Sequence, residues 1–335
     1  MFAMFYSKKS SVLRSVALNG LFLLFALMQI PFALSQDAYP SKTIRFIVGF
    51  PPGGGNDILS RLVAAKLSET KGWTVSVENV AGSGGLLGAN AIAKSSPNGY
   101  TIGIGSIGTL SINPSLYQKI PYNIMKDFTF ITRLSVTPAA LVVPANSPFR
   151  NVQELISSAK ANPGKLNFGS AGSGTSHHLI AEFFRFKVGV EMTHIPYAGS
   201  SPAVLGLIRS DVQLMFADMP AVLPMIRAGK LRALAVTTKQ TSALLSDAPS
   251  INDVIPGFDV SIWYGIVGPA GLSPEITKTL NQAIRDVIVL PEVQHKLVEE
   301  GAIGQGSTPE EFSVFLKGEV ARWAEVIQQA KVPLQ

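Results

Sequence analysis

The sequence predicts an α/β fold divided into two domains, on three observations. Short β-branched or aromatic runs recur along the chain, and each leads through a glycine-rich turn into a stretch of helical periodicity. The length of 335 residues exceeds one ordinary domain and suits two. Hydrophobic residues make up 47% of the chain and charged residues only 15%, which specifies a large core and excludes a disordered chain.

The first run, 43–48, ends at Pro51-Pro52-Gly53-Gly54-Gly55, after which Ile58, Leu62, Ala65 and Leu67 recur at helical spacing. A second strand is expected over 73–80, followed by glycines at 82–85 and a helix to Lys94, and a third over 101–105. An irregular stretch rich in Pro and Asn intervenes, and the cycle resumes with a strand at 141–143. A helix from Asn151 follows, where Asn151 and Glu154 have capping-box spacing. Further strands are expected at 166–169, 192–195, 212–216 and 231–236, all in parallel sheets covered by helices. The last 60 or so residues read as helical: Ser273-Pro274-Glu275 and Thr308-Pro309-Glu310-Glu311 are start signals. Phe312, Leu316, Val320, Trp323 and Ile327 make one apolar stripe suited to a core.

The beginning of the chain reads as a leader. Lys8, Lys9 and Arg14 precede an apolar stretch, and Ala33-Leu34-Ser35 supplies small residues before a cut, so residues 1–35 are expected to be a signal peptide and Gln36 the mature start. Those three cations supply half of the net charge of +6, and no Lys/Arg run occurs afterwards. That argues against a nucleic-acid partner. With no cysteine the exported protein has neither disulfides nor a lipidated N-terminal thiol, and the periplasm is the expected compartment.

Enzyme motifs are few. No G-x-S-x-G occurs, there is no thiol, and His177, His178, His194 and His295 have no metal-ligand spacing, so neither a metal nor a cofactor is expected. Gly103, Gly105 and Gly108 fit a dinucleotide pattern, but Asn113-Pro114 is expected to cut off the helix it requires. The glycine loops that run from strand to helix say more. Gly53-Gly54-Gly55-Asn56-Asp57 and Gly172-Ser173-Gly174-Thr175-Ser176 leave first-turn N–H groups approachable at the positive end of a helix dipole, which suits an anion. Ser106 and Thr109, and Ser200 and Ser201, add hydroxyls at comparable places. No Lys or Arg lies in these loops. Arg61 sits a turn further on, and Asp57 is assigned to fixing its loop rather than to an anion.

These residues, taken together, resemble the Bug family, the substrate-binding proteins of tripartite tricarboxylate transporters. The resemblance spans the mature chain: Tyr39-Pro40-Ser41-Lys42-Thr43-Ile44-Arg45, Phe50-Pro51-Pro52-Gly53-Gly54-Gly55-Asn56-Asp57, Pro97-Asn98-Gly99-Tyr100, Ile112-Asn113-Pro114-Ser115-Leu116-Tyr117, Gly164-Lys165-Leu166-Asn167-Phe168, Ser170-Ala171-Gly172-Ser173-Gly174, His194-Ile195-Pro196-Tyr197, the run 228–237 and Trp263-Tyr264-Gly265. It implies a two-lobed periplasmic binding protein of the type II, Venus-flytrap kind, each lobe a sheet flanked by helices. Residues 36–139 with 262–335 would form one lobe and 140–261 the other. It implies capture of a small organic carboxylate in the cleft, delivery to a membrane permease, no cofactor and no catalysis. The ligand-binding residues implied are Pro52, Gly53, Gly54, Asn56, Asp57, Ser106, Thr109, Ser170, Gly172, Gly174, Thr175, Ser176, Tyr197, Gly199, Ser200 and Asp218. Where the family often carries Asp directly after the strand, this chain has Ala217 and then Asp218, which favours a ligand without an amine. A receptor that presents its ligand to a signalling membrane protein is the alternative, and an exported α/β hydrolase, lacking a nucleophile and base, comes after it. Mass spectrometry of exported protein is expected to find Gln36 as the first residue, and Met1 retained in a membrane fraction would contradict the leader.

Overall fold

In the computed structural model, residues 39–335 are described, so the leader read over 1–35 and the mature start at Gln36 lie outside the described residues. Strand β1 (Ile44–Val48) pairs in parallel with β2 (Val75–Asn79) on one side and β3 (Thr101–Ser106) on the other. Helices α1 (Gly55–Lys71) and α2 (Leu86–Ala93) make the crossovers that parallel pairing demands. The second set repeats the scheme: β5 (Asn167–Ser170) lies between β6 (Thr193–Pro196) and β7 (Leu214–Asp218), with helices α5 (Ser176–Val188) and α6 (Ser200–Ile208) as crossovers. A short α3 (Asn113–Leu116) and α4 (Val152–Ala161) complete the helices up to this point.

The two sets are joined by strands that correct the expectation of purely parallel sheets. Strand β4 (Phe128–Pro144) is 17 residues long and antiparallel to everything it pairs with. Its first part, through Pro138, pairs with β9 (Ser261–Pro269), which in turn pairs with β3. From Ala139 on, it pairs with β7 and with β8 (Leu231–Val236). The sequence placed only 141–143 of this strand, because the chain before it reads as an irregular stretch rich in Pro and Asn. Pro138 is tolerated since partners change there, between Pro138 opposite Ser261 and Ala139 opposite Asp218. The missing N–H falls at the changeover. Thr237 pins the next residue, accepting from the Ala139 N–H through its hydroxyl and donating its own N–H to the Ala139 carbonyl.

Residues 108–116 are a second correction. Asn113-Pro114 does not end the path: Gly108–Ile112 form a wide helical turn that runs into α3, with Pro114 in the first turn, where an N–H is not needed. The chain then turns at once into the extended Tyr117, so no long helix follows β3.

Helix α7 (Met219–Arg227) leads into β8, and beyond β9 the end of the chain is helical as expected, apart from the two-residue strand β10 (Ile303–Gly304) on β4. Helix α8 (Pro274–Ile288) starts with Ser273 accepting from the Ile276 N–H, and α9 (Pro291–Glu299) follows it. Helix α10 (Pro309–Gln329) opens with the complete Thr308/Glu311 capping box. Its stripe of Phe312, Leu316, Trp323 and Ile327 is buried. Gly265 on β9 admits the Phe312 ring, which a Cβ there would overlap. The ring meets Phe130 and Trp263 edge-on, and the Trp263 indole N–H donates to buried Glu319 at 2.7 Å. The second core, around Ala140, Val142, Leu207, Val212, Met215 and Val222, lies under β4 and β7.

Truncating Phe312 leaves a cavity that the sheet cannot close. Phe312→Ala is expected to lower unfolding free energy by about 3–5 kcal/mol in denaturant titration, and a loss under 1 kcal/mol, within the range of volume-conserving swaps, would show that α10 is not part of the core.

Candidate functional site

The C-terminal ends of β1, β3, β5, β6 and β7 meet where β4 changes partners; the first four continue through a short loop into a helical turn, and β7 runs directly into a helix at Met219. The loop after β1 is tied from below. The Asp57 carboxylate accepts from the Gly53 N–H, from the Asn79 amide and from Arg61, so Asp57 fixes the loop as expected. Burial alone would raise the Asp57 pKa, but these hydrogen bonds outweigh it and hold the carboxyl below its ordinary value. Gly53 has φ +84°, open to glycine at no steric cost.

The loop after β5 is built on histidines. The Ser170 hydroxyl lies 2.6 Å from His194 Nε2 and accepts from the Gly172 N–H, while Thr175 donates its hydroxyl to the Gly172 carbonyl. His178 Nδ1 accepts from the Gly174 N–H, and its ring stacks on His194 at 4.0 Å, with Phe168 beyond. Burial depresses both imidazoles, His178 to about 3 with help from His194 and Arg185, and His194 to about 4. Both rings are therefore neutral supports. Ser106 and Thr109 close their own turn, the Thr109 hydroxyl accepting from the Ser106 N–H.

Across the gap the two halves touch. Ser201 donates to the Pro52 carbonyl at 3.2 Å and Tyr117 to the Ser173 carbonyl at 3.1 Å. Tyr264 of β9 donates to Asp218 Oδ2 at 3.1 Å. The close approaches need glycine: a Cβ on Gly174 (φ +77°) would overlap Asn113, one on Gly199 (φ +145°) would press on Pro51, and one on Gly55 would overlap Asp218. Gly54 is different, because a Cβ there would sit 3.4 Å from Ser200 Cβ, an ordinary contact.

Two cavities lie along this seam. The inner one, of about 20 Å³, is lined by Asn56, Ser106, Thr175, Ser176, Ser200 and Asp218 from the sequence reading, together with Phe50, Ala171, His177 and Tyr264, which that reading did not select. The outer one, of about 360 Å³, contains Gly172 and Tyr197 beside Phe50, Pro51, Tyr117, Ser173 and the glycine turn 82–85. Phe50 and Ala171 belong to both. Pro52, Gly53, Gly54, Asp57, Thr109, Ser170, Gly174 and Gly199 line neither; they shape or brace the loops that do. A larger cavity, about 550 Å³, opens beside Thr137, Gln240, Asp259 and Ile303, and none of the expected site residues lines it.

Asp218 is buried among its own partners. Oδ1 lies 2.8 Å from His177 Nε2 and 3.4 Å from the Ser200 hydroxyl, and Oδ2 accepts from Tyr264. Burial would raise its pKa, yet the hydrogen bonds with His177 and Tyr264 bring it below the ordinary value. The same burial, beside an anion that accepts its proton, holds Tyr264 protonated. Such residues escaped sequence reading because β9 carries Tyr264 from more than 150 residues beyond β3, and His177 is not glycine-loop chemistry. The signal available was Trp263-Tyr264-Gly265 itself, aromatic beside a small residue in a strand.

Helices α1, α5 and α6, whose N-termini meet at the cavities, have no side-chain cap, as is also true of α9 elsewhere, whereas α4, α8 and α10 are capped by Asn151, Ser273 and Thr308. Their first-turn N–H groups keep the positive end of each dipole directed at the seam. Uncharged donors therefore dominate, and neither cavity is lined by Lys or Arg.

The buried histidines set the acid sensitivity of this framework. Their folded pKa values, about 3 and about 4, lie below the ordinary 6.5, so the stabilisation from burying them neutral is full above 6.5 and is lost as pH falls toward those values. Asp57 and Asp218 have the same sign but act only below the ordinary carboxylate value of 3.8. Denaturant titrations are expected to show stability falling as soon as pH drops below 6.5, before Asp57 and Asp218 titrate, with the raised, buried Glu182 offsetting part of the loss. A profile that stays flat down to about pH 4.5 in a Glu182→Gln variant as well would contradict the neutral burial of His178 and His194.

Residues 59–332 match the family described as tripartite tricarboxylate transporter family receptor. Protein BugT of Bordetella pertussis is 34% identical over 324 residues, covering 96% of this chain and 99% of that one. Among solved structures, R. palustris Rpa4515 with adipate is 34% identical with TM-score 0.85, covering 88% of this chain and 98% of the other. MatC from Rhodopseudomonas palustris with bound malate is 28% identical with TM-score 0.82, covering 86% and 100%. The fold is that of a two-lobed periplasmic binding protein of this kind, and the family and the structural neighbours are solute-binding proteins. With strand-end loops, uncapped helices and near full-length likeness in agreement, the chain belongs to the Bug family of tripartite tricarboxylate transporter receptors.

Proposed function

We propose that this protein captures a small organic carboxylate between its two lobes, in the periplasm, and delivers it to the permease subunits of a tripartite tricarboxylate-type transporter. The observation that carries the reading is the convergence of uncapped helix N-termini on a seam lined by neutral donors. Such a seam offers an anion positive potential without a fixed cation. The adipate and malate of the two neighbours above belong to the same chemical class. The outer cavity, with Phe50, Pro51, Tyr117 and Tyr197, suits the uncharged body of such a ligand.

The lobes on this reading are 36–139 with 262–335, and 140–261. Asp218, occupied by His177, Ser200 and Tyr264, has its oxygens engaged within the protein, which supports a ligand without an amine. Ser201 on Pro52 and Tyr117 on Ser173 are then contacts of the closed clamp, strengthened when a ligand bridges both lobes.

A thermal-shift series with adipate, malate and other short carboxylates is expected to raise the melting temperature. Ligand at ~100 times its Kd should contribute about 2.7 kcal/mol. Small-angle scattering on the same samples should show a smaller radius of gyration at saturation. No shift with any carboxylate, together with turnover of an ester, would replace this reading with a hydrolase, and an unchanged scattering profile at saturation would remove the clamp.

A further inference from the structure

His177 holds Asp218 with one ring nitrogen and leaves the other unengaged. Its ring lines the inner cavity and is only 4% exposed, and its Nδ1 is buried without a hydrogen-bond partner. The other nitrogen is committed. Nε2 lies 2.8 Å from Asp218 Oδ1 and 3.3 Å from the Asp218 N–H. An ionised Asp218 takes the shorter contact as an acceptor, so Nε2 carries a proton. Nδ1 is then bare in the neutral ring and bears the second proton in the cation.

A carboxylate ligand entering this cavity meets a difficulty. Asp218 is already there, and two anions in one dehydrated space repel strongly unless a cation separates them. No Lys or Arg lines either cavity, and of the residues that line them only His177 can become positive. The surrounding charges are spoken for. On its own helix, His178 accepts from Gly174 and Glu182 pairs with Arg185; at the start of α1, Asp57 pairs with Arg61; on β9, Tyr264 donates to Asp218.

We propose that His177 is the receptor for the ligand carboxylate: Nδ1 donates to it, and the ring takes up one proton from solvent as the ligand binds and returns it on release. The proposal rests on the carboxylate reading above and deepens it. Asp218 is a positioning residue that fixes the ring's orientation and its Nε2 proton, and balances the imidazolium. The bound state favours the protonated ring, so affinity is greatest at low pH and is lost as pH rises.

The test is isothermal titration calorimetry of the mature protein with adipate, malate and hexanoate near pH 6 and near pH 8, on either side of the ordinary imidazole range, in buffers of different ionisation heat. Wild type is expected to take up close to one proton per ligand where the free ring is neutral, with affinity falling up to about tenfold per pH unit there. H177Q should bind weakly at both pH values and take up none. D218N, which keeps the ring but removes its counter-charge, should move the linkage to lower pH. His295→Gln, at an exposed histidine away from the loops, should behave as wild type. Thermal melts establish that each variant folds; if H177Q does not, the wild-type proton count and D218N decide. Binding without proton uptake, or H177Q that keeps the linkage, overturns the role of His177 and leaves carboxylate capture standing. If none of the three carboxylates binds wild type at either pH, both fall together.

Discussion

Everything in this molecule is organised by one strand that belongs to both halves of the sheet. Strand β4 pairs with β9 up to Pro138 and with β7 and β8 from Ala139, so the two parallel sets are joined into one sheet through it. The constraint is severe, because a register slip of one residue would turn every side chain of one half to the wrong face. It is met by irregularities in the β4–β9 register at Phe130/Thr132 and Arg133/Ser135, and by the hydrogen bonds between Thr237 and Ala139 at the crossing. The loop ends of both halves are thereby brought to one seam.

Around that seam, the supports are of two kinds. On the β1 side a charged network, Asp57 with Arg61 and Asn79, holds the loop by its Gly53 N–H. On the β5 side neutral stacked imidazoles do the same work through Ser170 and Gly174. Both arrangements keep fixed charge behind the loop rather than in front of it. The uncapped helix starts can then face the seam without a competing side chain.

Much of this was legible in the sequence. The strand–glycine–helix cycle is local, so β1, β3, α1, β5 and α5 could be placed from turn chemistry and periodicity alone. Capping at Asn151, Ser273 and Thr308 was equally local. The first half of β4 and all of β9 were not legible, because antiparallel pairing between segments more than a hundred residues apart leaves no local mark. The site divided in the same way. Asn56, Ser106, Thr175, Ser176 and Ser200 were found from their loops, while Phe50, Tyr264 and His177 owe their place to long-range packing. Asp218 was read as a displaced acid, and its engagement by three partners from three elements is a tertiary fact.

The lining free of Lys and Arg has a consequence for the surroundings in which such a seam works. Attraction between exposed charges fades over about 8–10 Å at ordinary salt concentrations, whereas dipoles and charges enclosed by protein are screened far less. A receptor that recruited anions with surface lysines would work well in dilute media and poorly in brine. On the proposed reading the positive potential comes from helix starts and from His177, all enclosed in the seam, so capture would be nearly indifferent to salinity. On that reading, discrimination would rest on what the walls of the seam accept.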